Sequence, residues 1–207
     1  MSKAEIGLIG LGTMGAALAS NIADNGFEIA VWNRTSTVTE AFHANAGALA
    51  AKITPTQTLA ELVDAIAEPR AIILMVPAGQ PVDDQIAALR PLLGDNDLII
   101  DAGNANFHDT NRRAAEAGDL PFLGIGVSGG EEGARFGPSI MGGGKREYWD
   151  RVAHILNAIA ADYDANLEDL FIHFHKNPEL SFREFKTAER LGQELPVWPS
   201  HLSTPLI

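Results

Sequence analysis

Short, continuously apolar runs alternate with longer amphipathic stretches over the first three-quarters of the chain. Ile6–Ile9, Glu28–Trp32, Ala71–Val76 and Asp97–Asp101 each read as a buried strand, and Pro121–Ile125 as a fifth. Between them, residues 14–25, 38–46, 58–67, 82–93 and 110–117 carry helical periodicity. An uninterrupted apolar run implies a strand covered on both faces, and strands separated by helices of this length pair in parallel. Right-handed crossovers then give a doubly wound, mostly parallel α/β sheet of the Rossmann type.

A Gly-rich segment over 124–144 follows, and then a helical pattern over 148–160 with Trp149, Val152, Ile155, Leu156 and Ile159 on one stripe. Past Ala161 the character changes. Residues 162–169 are acidic, 167–174 look helical, and Phe182, Phe185, Ala188, Leu191 and Leu195 make another helical stripe. The end has prolines at 196, 199 and 205 and no period. The expected organisation is a Rossmann domain over 1–161, a short helical extension over 162–195 and a disordered tail over 196–207.

Composition narrows the function. The 207 residues are 46% apolar and 20% charged, which is globular rather than disordered. A formal charge of −12 argues against nucleic-acid binding, which needs a basic face. A phosphorylated small ligand stays open, because helix N-termini and a few local cations can hold one phosphate on an acidic protein. The absence of cysteine excludes disulfides, thiolate nucleophiles and cysteine-based zinc sites. No signal segment opens the chain and no apolar run reaches the length of a membrane span, so a cytoplasmic protein without a membrane partner is expected.

The first strand runs directly into Gly10-Leu11-Gly12-Thr13-Met14-Gly15, at the opening of a helix. In that context Gly10 permits a tight turn, Gly12 lets the backbone approach a pyrophosphate, and Gly15 allows close helix–strand packing. The helix N-terminus offers free N–H groups to the anion. An NAD enzyme would end its second strand with a carboxylate on the ribose 2′-hydroxyl. This chain has Asn33-Arg34-Thr35 there instead. A guanidinium pairs with a 2′-phosphate that a carboxylate would repel, and Asn33 and Thr35 supply neutral donors, so the expected cofactor is NADP.

Two further stretches are particular. One runs Asp101-Ala102-Gly103-Asn104 on to Arg112-Arg113; the other is Gly126-Val127-Ser128-Gly129-Gly130-Glu131-Glu132-Gly133-Ala134-Arg135, continuing to Met141. With Asn33-Arg34-Thr35 they resemble the 6-phosphogluconate dehydrogenase family over residues 4–160. The resemblance implies that Gly10–Gly15 and Asn33–Thr35 hold NADP and that Val76, Pro77 and Ala78 line its nicotinamide side. Asn104 would touch coenzyme and substrate, and Ser128, Gly129 and Gly130 would bind 6-phosphogluconate. Pro77 departs from the lysine that some members carry, and any contact of that lysine does not transfer.

In the resembled family a lysine takes the substrate hydroxyl proton and a glutamate assists enediol protonation, both within a His-x-Val-Lys-Met-Val-His-Asn-Gly type of stretch. This chain contains no such stretch, and its lysines beyond the first domain, Lys176 and Lys186, sit in unrelated context. The helical domain that forms the family's homodimer is not recognisable either. Residues 166–195, with His173, His175, Pro178 and Glu184, resemble instead the N-terminal segment of aminoacylase- and carboxypeptidase-type amidohydrolases. Two histidines two apart point roughly 200° apart on a helix and cannot clamp one ion, so no metal site is expected. The leading expectation is an NADP-binding domain of a pentose-phosphate-pathway oxidoreductase, joined to a segment of foreign origin and inactive alone. An NADP-sensing or interaction module and an amidohydrolase fragment are the other readings.

Overall fold

The computed structural model describes residues 3–161, which lie within the compact unit Met1–Ala161. The expectations for 162–195 and 196–207, with His173 and His175, fall outside the described residues. β1 (Ile6–Ile9), β2 (Ile29–Trp32), β3 (Ile53–Pro55), β4 (Ala71–Leu74), β5 (Leu98–Asp101), β6 (Phe122–Ser128) and β7 (Ser139–Gly144) form one sheet in the order 3-2-1-4-5-6-7. The first six are parallel; β7 runs antiparallel to β6, from Leu123 opposite Gly144 to Ser128 opposite Ser139.

Seven helices connect or cover these strands: α1 (Thr13–Asp24), α2 (Ser36–Asn45), α3 (Leu59–Ala65), α4 (Gln80–Leu89), α5 (Phe107–Glu116), α6 (Gly130–Phe136) and α7 (Arg146–Ile159). Successive side chains of a strand point to opposite faces, so an all-apolar strand feeds two cores. Leu8, Ile73 and Ile100 join Leu18 and Ile22 of α1 and Val152, Ile155, Leu156 and Ile159 of α7 on one face. Ile9, Ile72, Leu74 and Ile99 meet Leu62 of α3 and Val82 and Leu89 of α4 on the other. Each such fully buried side chain contributes about 1.5–3 kcal/mol, so the central strands anchor the loops that follow them. Buried Asn21 of α1 donates to the Ala134 and Ile159 carbonyls at 3.1 and 3.0 Å, tying α1 to the ends of α6 and α7.

Several boundaries differ from the periodic pattern, each for a local reason. β4 stops at Leu74; the Met75 N–H still donates to the Ile9 carbonyl of β1 at 2.8 Å, and Val76 turns away although it continues the apolar run. α4 ends at Leu89 and a tighter turn covers Arg90–Leu92, because Pro91 cannot continue an α-helix. α5 begins at Phe107, three residues before the apolar pattern, since the Asn106 side chain caps it by accepting from the His108 N–H. The three-residue edge strand β3 has one buried side chain, Ile53, too few to carry a period. The segment over 124–144 is the end of β6, α6 and β7. Three glycines in β7 erase any alternation, and the Trp149 ring of α7 lies over Gly142, where a Cβ would intrude to 2.6 Å.

Candidate coenzyme site

The sheet order reverses between β1 and β4, and the loops after these strands part to leave the crevice where doubly wound sheets bind ligands. The three fingerprint glycines do different jobs there. Gly10 has φ of 99°, and a Cβ on it would strike the Met75 carbonyl oxygen. A Cβ on Gly15 would strike the Gly10 carbonyl, so α1 can lie against the turn only without one. At Gly12 a Cβ would meet nothing within 4 Å. That open space, in front of the first-turn N–H groups of Thr13, Met14 and Gly15, fits an anion. α1 has no acidic residue in its first turn to compete for those groups.

β2 delivers the second part. The Asn33 side-chain oxygen accepts from the Leu11 N–H at 3.0 Å, and its amide donates to the Thr35 carbonyl at 3.3 Å. Asn33 therefore holds the turn as well as facing the crevice. Arg34 is exposed and, among the described residues, has no ion pair or hydrogen bond. Thr35 is the N-cap of α2 with its hydroxyl unused for capping, and the first turn of α2 is also free of acids. An exposed guanidinium beside an unneutralised helix N-terminus is electrostatically suited to a phosphate.

Val76, Pro77 and Ala78 form the loop between β4 and α4, with Pro77 and Ala78 exposed. Across from them Asn104 has φ of 58°, a left-handed conformation that asparagine adopts more readily than other side-chain-bearing residues. A buried ion-pair network lies one residue before it. The Arg113 guanidinium, 1% exposed, donates to Asp83 from Nε at 2.8 Å and Nη2 at 3.1 Å, to the Gly79 carbonyl at 2.9 Å and to Asp101 at 3.1 Å. The other Asp101 oxygen accepts from the Gly103 N–H at 3.0 Å. Hydrogen bonding from Arg113, seconded by Arg112, holds the Asp83 carboxyl down at about 2. The guanidinium of Arg113 is in turn held charged by Asp83 and Asp101.

Ser128, Gly129 and Gly130 stand exposed at the carboxyl end of β6, with φ of 121° and 63° at the two glycines. α6, which they open, faces the first turns of α1 across a cleft of about 650 Å³ lined by Gly12, Thr13, Ser20, Glu131, Arg135 and Phe136. Asn104 lines a different hollow of about 380 Å³, over α5 and the glycines of β6 and β7. The fingerprint thus shares this cleft with α6, but Ser128, Gly129 and Gly130 themselves do not line it, and Asn104 belongs to the neighbouring strand end. Among the described residues no cluster of acids and histidines could hold a metal, and no helix is long and apolar enough to cross a membrane.

A profile of the NAD-binding domain of 6-phosphogluconate dehydrogenase matches residues 5–170. The chain belongs to this family. The decarboxylating 6-phosphogluconate dehydrogenase of Treponema pallidum is 51% identical over 163 residues, 78% of this chain and 33% of the relative. The human protein of that name is 48% identical over 78% of this chain and 34% of its own length. Among solved structures, Plasmodium falciparum 6-phosphogluconate dehydrogenase, described in its apo form and in complex with NADP+ and with 6-phosphogluconate, superposes with a TM-score of 0.73. It is 39% identical and covers 76% of this chain and 34% of that one. A 3-hydroxyisobutyrate dehydrogenase from Mycobacterium tuberculosis, 20% identical with a TM-score of 0.65 over 95% of this chain and 67% of that one, shares the fold. The chain spans about a third of the length of the 6-phosphogluconate dehydrogenases it matches.

Sequence reasoning for this 6-phosphogluconate dehydrogenase domain singled out residues on the loops after β1, β2, β4, β5 and β6, but missed those that hold these loops in shape. Asp83, Asp101 and Arg113 are 12 to 30 positions apart and carry no shared spacing. The one available signal was an aspartate closing an otherwise apolar strand: Asp101 is fully buried in the side chain and must have a partner.

Proposed function

We propose that this chain is the coenzyme-holding part of a decarboxylating 6-phosphogluconate dehydrogenase and that it takes NADP in preference to NAD. The observation that carries the reading is Arg34. It offers an exposed guanidinium, without an ion pair among the described residues, at the strand end where an NAD-selective site has a carboxylate. The first turns of α1 and α2, both free of acidic residues, would receive the pyrophosphate and the 2′-phosphate. Val76, Pro77 and Ala78 would line the nicotinamide, Asn104 would lie between coenzyme and substrate, and Ser128, Gly129 and Gly130 would bind the sugar acid through a hydroxyl and open backbone N–H groups.

When bound, NADP supplies a hydride acceptor for the carbon bearing the substrate's hydroxyl. Removing that hydride requires a base for the hydroxyl proton, and neither Asn104 nor Ser128 is one near neutral pH. Of the three described lysines, Lys3 is exposed ahead of β1, at the opposite end of that strand from the crevice, Lys52 donates to the Gly26 carbonyl and Lys145 is engaged with Tyr148 and Glu147. In this reading residues 3–161 bind and orient, and the proton-transferring groups and the homodimer contacts come from elsewhere in the enzyme, in a cytoplasmic setting. Parallel titrations of NADP and NAD into the 207-residue chain test it: a clear preference for NADP supports the reading, and equal or absent binding of both overturns it.

A further inference from the structure

We propose that Arg113 is a positioning residue for the nicotinamide half of the site, setting the spacing of the two loops between which that ring would lie. The inference rests on the reading that the crevice takes NADP. The loops are that between β4 and α4, with Val76, Pro77, Ala78 and Gly79, and that between β5 and α5, with Gly103 and Asn104.

Four of the five guanidinium N–H groups are used, and they go to both sides. On one side Arg113 takes the Gly79 carbonyl at 2.9 Å, and Gly79 closes the first loop at φ of 91°. The same side includes the bidentate pair with Asp83 in the first turn of α4. On the other side it takes Asp101, whose second oxygen holds the Gly103 N–H, one residue before the left-handed Asn104. The loops are already in backbone contact: a Cβ on Gly103 would come within 2.6 Å of the Val76 carbonyl oxygen. A planar fork is what such an arrangement needs. A lysine ammonium in the same place is a point charge and cannot hold a carbonyl and two carboxylates in fixed relative directions. None of these contacts reaches Gly10–Gly15 or Asn33–Thr35, which are tied to each other through Asn33 and Leu11. Gly10 does pack on Met75 and Val76 at the start of the first loop, but the Arg113 contacts lie at its far end, at Gly79 and Asp83, so disturbing Arg113 should act first on the nicotinamide half.

The full chain and Arg113→Lys are to be titrated with NADPH, followed by nicotinamide fluorescence, and with adenosine 2′,5′-bisphosphate, which has the adenine half alone. Expected is a loss of the fluorescence change on binding and a roughly fivefold to tenfold weaker NADPH affinity, the scale of one or two lost hydrogen bonds. Bisphosphate affinity should stay within about twofold of wild type, less than the effect of one hydrogen bond. Parallel weakening of both ligands, or no change in either, would overturn the proposal. If Arg113→Lys does not fold, Asp83→Asn gives the same pair of readouts, since it removes the bidentate partner from a half-buried position while keeping its shape. There too, parallel loss or no effect overturns it. A wild-type chain that binds neither ligand overturns the NADP reading itself. One that binds both while the variants fail to separate them overturns the role of Arg113 alone.

Discussion

The Asn33 side-chain oxygen and the Leu11 backbone N–H, 22 residues apart in sequence, are joined at 3.0 Å, so the end of β2 and the turn after β1 form one unit. Leu11 is 6% exposed, so its N–H depends largely on Asn33 for a partner. Asn33→Ala should therefore cost about 1–3 kcal/mol, the penalty of an unsatisfied buried donor, visible as a Tm several degrees lower. Asn33→Asp keeps the acceptor, so its Tm should stay near wild type while its added charge lowers NADP affinity relative to NAD. Thermal unfolding of both variants, with coenzyme titrations of the second, checks the pair. An unchanged Tm in Asn33→Ala would show that the bond contributes nothing.

Arg34 should set the coenzyme choice. Wild-type chain is expected to bind NADP at least about tenfold more tightly than NAD, a difference of about 1.4 kcal/mol. Arg34→Glu should abolish or invert that ratio without changing Tm, because Arg34 has no partner among the described residues to lose. Calorimetric titration of both coenzymes decides it, and a ratio that survives the charge reversal would refute the assignment.

Gly12 and Gly15 should separate function from folding. A methyl at Gly12 meets nothing in the protein, and the backbone there, at φ −68° and ψ −177°, suits alanine. Gly12→Ala is expected to keep its Tm yet bind NADP weakly, since the methyl occupies the approach of the pyrophosphate. Gly15→Ala must push α1 off the Gly10 carbonyl, an overpacking cost of roughly 1–3 kcal/mol. Its Tm should fall in the absence of any coenzyme. The opposite pattern would mean that the open space before Gly12 is not where the anion lies.

Acid should weaken the clamp around Asp83. Arg113 and Arg112 face this carboxylate and lower it from an ordinary 3.8 to about 2. A carboxyl depressed in the folded state stabilises fully above its unfolded value and loses that contribution as pH falls towards the folded one. Between about pH 4 and pH 2, stability measured by denaturant unfolding should therefore drop more steeply in wild type than in Asp83→Asn. Identical slopes would show that the pairing is not felt.

Catalysis by the 207-residue chain alone should be absent. With NADP and 6-phosphogluconate no NADPH absorbance is expected above a no-enzyme control, because a missing general base alone costs roughly 10²–10⁴-fold. Turnover that persists after removal of host dehydrogenase and disappears in Gly12→Asp would reveal a base among these residues.

The sequence by itself determined the fold class, the central strands and the glycine turn after β1. Apolar runs such as Ile6–Ile9 and Leu98–Asp101 can only be strands buried on both faces, and a glycine turn between such a strand and a helix has few other uses. Local chemistry is enough for these decisions: hydrophobic period, turn residues, the sign of the charge after β2. What only the tertiary structure decided are the features that depend on distant partners. β3 and β7 exist because a neighbour's edge accepts them, not because their own side chains alternate. Val76 leaves an apolar run that would otherwise extend β4, and its carbonyl meets Gly103 instead. Asp83, Asp101 and Arg113 acquire their meaning only when α4, β5 and α5 are stacked, because a buried charge is tolerated only beside a partner whose position the chain's local pattern does not encode.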